Sequence, residues 1–173
     1  MGTHRILQLG DSLLREISTP VETPAAARQL LDDLRDTLHE FQRTHGFGRG
    51  ISAIQIGVPG RAIYIEYAGA VYCLINPEYQ WLSEEKLYLW DDCFSFPDLL
   101  VWLERSQSLR LRYTGEHGGT QMLAASGALA ELIQHEMDHL DGILAVDRAI
   151  GPNGLATRQQ WDRMQVEATD KNG

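Results

Sequence analysis

The chain has 173 residues, a length that predicts one domain over residues 1–173, with the tail 168–173 expected to fray. Hydrophobic residues make up 43% and charged residues 23%, which is typical of globular proteins, and the net charge of −9 disfavours direct binding to nucleic acid or to anionic membranes. The N-terminus lacks the apolar run of a signal peptide and no stretch approaches a membrane span, so we expect a cytoplasmic protein.

The first predicted element is a helix. Thr23 is placed as its N-cap and Pro24 at the first helical position. Leucines and Phe41 then recur at helical spacing until Gly46, which predicts a face packed on the core. Residues 1–22 are expected to be irregular.

Alternating apolar residues predict strands in the middle of the chain. They are residues 61–67, 71–75, a segment within 79–90, 108–113 and 120–124. Asn76-Pro77 is expected to stop the second of these strands. Residues 115–119 are expected to form the turn that joins the last two.

The last predicted elements are helices. Apolar residues over about Ala128 to Leu140 fit a helix, and Gly142 is placed to end it. A short final helix is predicted around Ala156 to Val166. Strands followed by a late helix indicate an α+β fold.

The two cysteines lie in different surroundings. Two cysteines in a reducing compartment do not imply a disulfide. Cys73 lies in the apolar run AVYCLINP, which favours a buried, inert thiol. Cys93 lies in WDDCFSFP beside two carboxylates, which favours metal binding or chemistry.

The predicted late helix contains the motif H-E-x-x-H. His135 and His139 are four residues apart and share one helix face, so two nitrogens can point at one metal. Glu136 is close enough to reach a water on that metal. The motif is a zinc metalloprotease signature. The alternative interpretation is a solvated helix with two unrelated histidines.

A catalytic metal site usually has three protein ligands and one open position. A distant glutamate is one candidate for the third ligand. A third histidine in the long H-E-x-x-H-x-x-G-x-x-H form is excluded, because Gly142 is followed by Ile143, Leu144 and Ala145. Cys93 is the better candidate, since a thiolate is a strong ligand for divalent transition metals. The sequence therefore predicts a metallohydrolase.

Three motifs in order resemble the peptide deformylase family. Residues 48–55, GRGISAIQ, match G-x-G-φ-A-A-x-Q, in which φ is aliphatic. Residues 91–95, DDCFS, loosely match E-G-C-L-S, and residues 134–139, QHEMDH, match Q-H-E-x-D-H in full. The resemblance covers nearly the whole chain. It implies an α+β fold with mixed and antiparallel sheets around a central helix that carries the third motif.

The resemblance also implies the reaction, which is hydrolytic removal of formate from the N-terminal formyl-methionine of new polypeptides. Glu136 would then transfer the proton. The Gln55 side chain and the Phe94 backbone N–H would stabilise the oxyanion. Gly50 would let the backbone approach the substrate closely. Gly48, Gly50, Phe94 and Asp92 would contact the substrate.

A supporting cluster is implied around the ligands Cys93, His135 and His139. Asp91 and Asp138 would associate with Arg105 and orient these ligands. The alternative is a surface ion network of little energetic weight.

The resemblance implies one divalent metal ion, ferrous iron, with zinc, nickel or cobalt as alternatives. The implied partner is an N-formylated peptide or a small N-formyl compound. A transient association with the ribosome and a monomeric state complete the expectation.

Four residues depart from the family pattern. Asp92 stands for a glycine, so it adds a charge and a Cβ close to the expected substrate position. Phe94 stands for a leucine, and Ser52 stands for an alanine. Leu100 stands where many members have an arginine that contacts the peptide, so we expect an altered substrate-facing rim.

Three hypotheses follow from these departures. The first is a working peptide deformylase. The second is an amidohydrolase that removes formyl or another small acyl group from a different amine. The third is a non-catalytic, metal-containing relative that binds peptides, and the retained Glu136 argues against it.

Overall fold

The computed structural model describes residues 2–170 as two antiparallel sheets with three α-helices. The helices are α1 (Pro24–His45), α2 (Gly127–Leu140) and α3 (Arg158–Asp170). The strands are β1 (Gly50–Ser52), β2 (Ala62–Tyr67), β3 (Ala70–Leu82), β4 (Lys86–Asp91), β5 (Leu99–Ser106), β6 (Ser108–Thr114), β7 (Thr120–Ser126) and β8 (Leu155–Thr157). Short 3₁₀ helices are at Ser12–Arg15, Ala53–Ile56 and Ala145–Arg148. No helix among these described residues has the length and apolarity to cross a membrane.

The two predicted principal helices are confirmed, and their ends follow from their caps. The Thr23 hydroxyl accepts a hydrogen bond from the Ala26 N–H (3.2 Å), and Gly46 ends α1 with a φ of 77°. Gly142 follows α2 with a φ of 71° and donates to the His139 carbonyl (3.2 Å). In both helices glycine supplies the left-handed conformation that ends the helix.

The larger sheet has the order β1-β2-β3-β6-β7 and lies between the two helices. Strand β2 is buried on both faces. Ala62 and Tyr64 pack with the α1 side of the core, whereas Ile63 and Ile65 pack with the α2 side. The alternation predicted for this strand therefore separates two apolar clusters. The predicted hairpin of β6 and β7 is confirmed.

The prediction that Asn76-Pro77 stops a strand is wrong. Strand β3 continues through both residues to Leu82, with a register shift against β6 between Ile75 and Glu78. Asn76 adopts a φ of 49°, and its side-chain amide exchanges hydrogen bonds with the backbone of Val21 (2.8 and 3.0 Å). A bulge absorbs the proline without ending the strand.

The smaller sheet, in the order β4-β5-β8, was only partly predicted. The strand predicted within residues 79–90 is confirmed as β4, and the end of β3 precedes it in the same segment. Strand β5 was not predicted, because Arg105 and Ser106 are buried at its end where polar residues usually signal a loop. Its pairing with β8 brings residues 155–157 beside residues 99–101.

The final helix is confirmed, but it begins at Arg158 and continues to Asp170. Residues 168–170 are helical, residues 171–173 lie outside the described range, and fraying of the tail stays a prediction. Near the start of the chain, the expected irregular segment contains the short helix Ser12–Arg15.

Cys73 differs in one respect from its prediction, because it is half-buried instead of buried. Its thiol donates to the Glu116 carboxylate (3.6 Å). Burial, with the Glu116 charge, raises the pKa of Cys73 to about 12. The thiol is therefore protonated at neutral pH, which fits an inert cysteine.

Candidate metal centre and active site

Three potential metal ligands meet in the interior of the fold. Cys93 lies in the loop after β4, while His135 and His139 lie one turn apart on α2. Their ligand atoms all lie within 4.8 Å of one another, and Cys93 Sγ is 3.2 Å from His139 Nε2. One thiolate and two imidazoles in a buried cluster form a donor set that fits a divalent transition metal.

The pKa values of the two imidazoles are shifted in opposite directions. His135 Nδ1 lies 2.9 Å from Asp91 Oδ2, which leaves Nε2 for the cluster, an arrangement typical of metal-binding histidines. Burial would lower the pKa of His135, but Asp91 and Cys93 raise it well above its usual value, so this position favours positive charge. Burial and the neighbouring His135 hold the pKa of His139 well below its usual value, which leaves a neutral nitrogen.

Arg105 lies behind the ligands and joins two carboxylates. Its guanidinium donates to Asp91 Oδ2 and to Asp138 Oδ2, both at 2.9 Å. Arg148 also donates to Asp138 (2.6 and 2.7 Å). Arg105 is 4% exposed, so the cluster is an interior network and not a surface one. Burial would raise the pKa of Asp91, but His135 and Arg105 hold it well below its usual range.

Glu136 is 3% exposed, and its Oε2 oxygen has no hydrogen-bond partner within residues 2–170. Burial raises the pKa of this carboxyl to about 7, against the opposing effects of His135 and Ser52. Gly50 provides the space beside it, because a Cβ at position 50 would lie 3.2 Å from Glu136 Oε1. A carboxyl with a pKa near neutrality can both accept and deliver a proton.

The Gln55 amide points its donor end at the cluster. Its Oε1 oxygen accepts hydrogen bonds from the Ser52 N–H (3.0 Å) and hydroxyl (3.2 Å). This fixes Nε2, which lies 3.5 Å from Cys93 Sγ and 3.3 Å from Ser95 Oγ. The Phe94 backbone N–H makes no hydrogen bond to the described part of the chain. Both groups can therefore donate to an oxyanion.

Gly48 accommodates the aromatic ring that replaces a leucine. A Cβ at Gly48, whose φ is 134°, would lie 2.6 Å from Phe94 Cζ. The ring stacks on Phe41 with 3.9 Å between centroids. The larger side chain at position 94 is therefore packed into the core as well as along the site.

A cleft of about 310 Å³ opens onto the cluster. Its walls include most of the residues singled out from the sequence, namely Gly48, Gly50, Gln55, Asp91, Asp92, Cys93, Phe94, His135 and Glu136. His139, Arg105 and Asp138 lie behind this wall. The expectation that Leu100 faces the substrate rim is wrong. It is 3% exposed and lies in β5 opposite Ala156.

Four wall residues were not predicted from the sequence, namely Phe47, Arg49, Leu132 and Arg158. Leu132 could have been found, since it precedes His135 by three residues on the same helix face. Arg49 Nη2 lies 2.6 Å from Glu131 Oε1, a buried carboxylate one turn before His135. No local signal indicates Arg158, which reaches the cleft only through the fold.

The charge of Asp92 is paired. Arg158 Nη2 donates to Asp92 Oδ2 at 2.6 Å. Both side chains are partly exposed at the cleft mouth. Asp92 therefore does not present an isolated negative charge to a ligand.

Comparisons with known proteins agree on one family. The sequence-family model described as polypeptide deformylase matches residues 3–154 of this chain. The peptide deformylase of Bartonella tribocorum is 38% identical over 155 residues, which cover 85% of this chain and 84% of the relative.

Solved structures give the same result for the fold. The peptide deformylase of Thermotoga maritima superposes with a TM-score of 0.81 at 28% identity, covering 87% of this chain and all (100%) of that one. A peptide deformylase from Acinetobacter baumannii bound to Met-Ala-Ser has a TM-score of 0.76 at 28% identity, covering 85% and 98%.

Proposed function

The chain belongs to the polypeptide deformylase family, so its activity is removal of the formyl group from N-terminal methionine, and we propose that Glu136 transfers the proton in this reaction. The observation that supports this role is a buried carboxyl, with a pKa of about 7, directly beside the three potential metal ligands. The family activity also disfavours the two alternatives, a different acyl substrate and a non-catalytic binder.

Cys93, His135 and His139 would hold the divalent metal on which the family depends. The metal would act as a Lewis acid and lower the pKa of the attacking water. We propose ferrous iron as the native ion on the strength of the family resemblance, because this donor set suits zinc, nickel or cobalt as well. Metal analysis of protein prepared without oxygen tests that choice.

The other steps fall to residues of this chain. Glu136 accepts the proton of the attacking water and delivers it to the amide nitrogen as formate leaves. Gln55 Nε2 and the Phe94 N–H donate to the oxyanion that develops on the formyl oxygen. Asp91, Arg105 and Asp138 keep the ligand side chains in place. Gly48, Gly50, Phe94 and Asp92 border the bound substrate.

We further propose that residues 1–173 form one catalytic domain that works as a monomer in the cytoplasm. Its substrates are N-formylated nascent peptides. A transient contact with the ribosome would place the enzyme near them. Sedimentation of the purified protein and co-sedimentation with ribosomes test the last two points.

The direct test is formate release from formyl-Met-Ala-Ser by iron-loaded protein prepared without oxygen. The Acinetobacter relative bound to Met-Ala-Ser supports this choice of peptide. We expect Glu136→Gln to keep its metal and to lower kcat by about 100-fold or more, since a positioned acid/base group contributes 10²–10⁴-fold. Glu104→Gln, on the exposed part of β5, is the matched control. Unchanged kcat in Glu136→Gln would refute the proposed role.

A further inference from the structure

Two ion pairs lie at the cleft. Arg49 and Glu131 form one of them, and their side chains are 42% and 6% exposed. Asp92 and Arg158 form the other at the cleft mouth, and their side chains are 34% and 27% exposed. Both residues of this second pair line the cleft, and Asp92 directly precedes Cys93 in the sequence, so the pair can contact a peptide whose formyl group lies at the metal cluster.

Arg158 is held at this mouth by several contacts. Its Nε donates to the Pro97 carbonyl and its Nη2 to Asp92 Oδ2, each at 2.6 Å. Its Cζ lies 4.8 Å from the centre of the Phe47 ring. Because the side chain is already ordered, binding a ligand there costs little further conformational entropy.

The fold explains how a residue so late in the chain reaches the cleft. Strand β8 pairs with β5, with Leu99 opposite Thr157. The next residue, Arg158, donates its backbone N–H to the Asp98 carbonyl (2.8 Å). Arg158 lies beyond residues 3–154, the range that the family model matches. None of the three sequence motifs includes it.

Asp92 and Arg158 together offer a donor and an acceptor side by side. A guanidinium has five N–H donors, and the contacts above use those of Nε and Nη2, so the Nη1 donors remain for a ligand. Asp92 uses Oδ2 for Arg158, and its Oδ1 accepts no hydrogen bond from residues 2–170. An extended peptide presents the complementary pair, a carbonyl acceptor and an N–H donor.

We propose that the Asp92–Arg158 pair binds the peptide backbone beyond the first residue, which makes Arg158 a specificity-determining residue for peptides over single formylated amino acids. This inference rests on the proposed function, since it assumes that the formyl group lies at the metal cluster. Charge-assisted hydrogen bonds at a partly enclosed site supply the affinity. Asp92 is a peptide-binding group in this scheme.

The test compares formyl-Met with formyl-Met-Ala-Ser. We expect Arg158→Gln to raise KM for the tripeptide roughly tenfold, because a tenfold change corresponds to the free energy of one hydrogen bond to a charged group. The kcat for the tripeptide should change by less than about twofold. The KM for formyl-Met, which ends at the first residue, should rise less than the KM for the tripeptide. Arg158→Lys should recover part of the loss, because it restores the charge without the planar fork. Arg163→Gln, exposed on α3, is the control.

A second measurement does not depend on turnover. Calorimetric titration of the metal-loaded protein with Met-Ala-Ser should show a roughly tenfold weaker Kd in Arg158→Gln. Equal Kd values for the wild type and Arg158→Gln would overturn the proposal. An equal rise in KM for formyl-Met and for the tripeptide would also overturn it, because Arg158 would then act on local structure. If the wild type binds Met-Ala-Ser through Arg158 but hydrolyses no substrate, the proposed function fails while the peptide site stands.

Discussion

The Asp92 carboxylate directly precedes Cys93, a proposed metal ligand, in a position where the matched sequence motif has glycine. The sequence alone predicts an added negative charge close to the expected substrate position. In the structure Arg158 Nη2 lies 2.6 Å from Asp92 Oδ2, so the charge is balanced at the mouth of the cleft. The effect of a side chain on specificity thus depends on a partner that is distant in the sequence.

Replacing Asp92 by glycine tests this view. We expect Asp92→Gly to raise KM for formyl-Met-Ala-Ser about three- to tenfold, since Arg158 loses a charged partner and the peptide loses an acceptor. The measurement is steady-state formate release, with formyl-Met as the short reference substrate. A fall in KM for the tripeptide would contradict this view and would show that the Asp92 charge opposes substrate binding.

Residues within one local segment could be placed from the sequence. The four-residue spacing of His135 and His139 puts both on one face of α2, and Glu136 lies between them in sequence. The cleft mouth could not be placed in this way. Arg158 is 66 residues from Asp92, and only the pairing of β8 with β5 brings the two together.

At the scale of elements, Arg105 connects three of them. It lies on β5 and bonds Asp91 at the end of β4 and Asp138 on α2, both at 2.9 Å. The same burial explains why β5 was missed. A charged residue on an interior strand face breaks the apolar pattern, although its charge is paired in the fold. Helices α1 and α2 were predicted because their caps and apolar stripes are local.

Removing the Arg105 side chain should therefore be costly. We expect Arg105→Leu to lower the free energy of unfolding by about 3–5 kcal/mol, because two buried carboxylates each lose a cationic partner, although Asp91 keeps His135 and Asp138 keeps Arg148. Urea denaturation of the metal-loaded proteins measures this change.

Arg112→Leu is the matched control for that experiment. Arg112 pairs with Glu78 at 2.5 Å on an exposed face. Loss of this pair should cost less than about 1 kcal/mol. Similar losses in the two variants would show that the interior network contributes no more than a surface ion pair.

For the whole molecule, the proposed metal centre joins the two sheets. Cys93 packs in the apolar cluster of the smaller sheet, whereas α2 packs on the larger one. A metal held by Cys93 and the two histidines would cross-link these parts. Metal bound only to the native state stabilises it by mass action.

Chelation should consequently lower the melting temperature of the metal-loaded protein by about 5–10 °C. Differential scanning calorimetry with and without chelator measures the shift. Cys93→Ser, which lacks the thiolate ligand, should show a much smaller shift. If Cys93→Ser responds as strongly as the wild type, Cys93 is not a ligand.

The position of Arg158 also has a consequence for biosynthesis. Chains leave the ribosome from the N-terminus, and folding follows that order. Cys93, His135 and His139 are all synthesised before the strand β8 that carries Arg158 to the cleft. A nascent copy of this enzyme therefore completes its metal-binding residues first and its peptide-contacting arginine last. The high affinity for peptide substrates would therefore be acquired after the metal site.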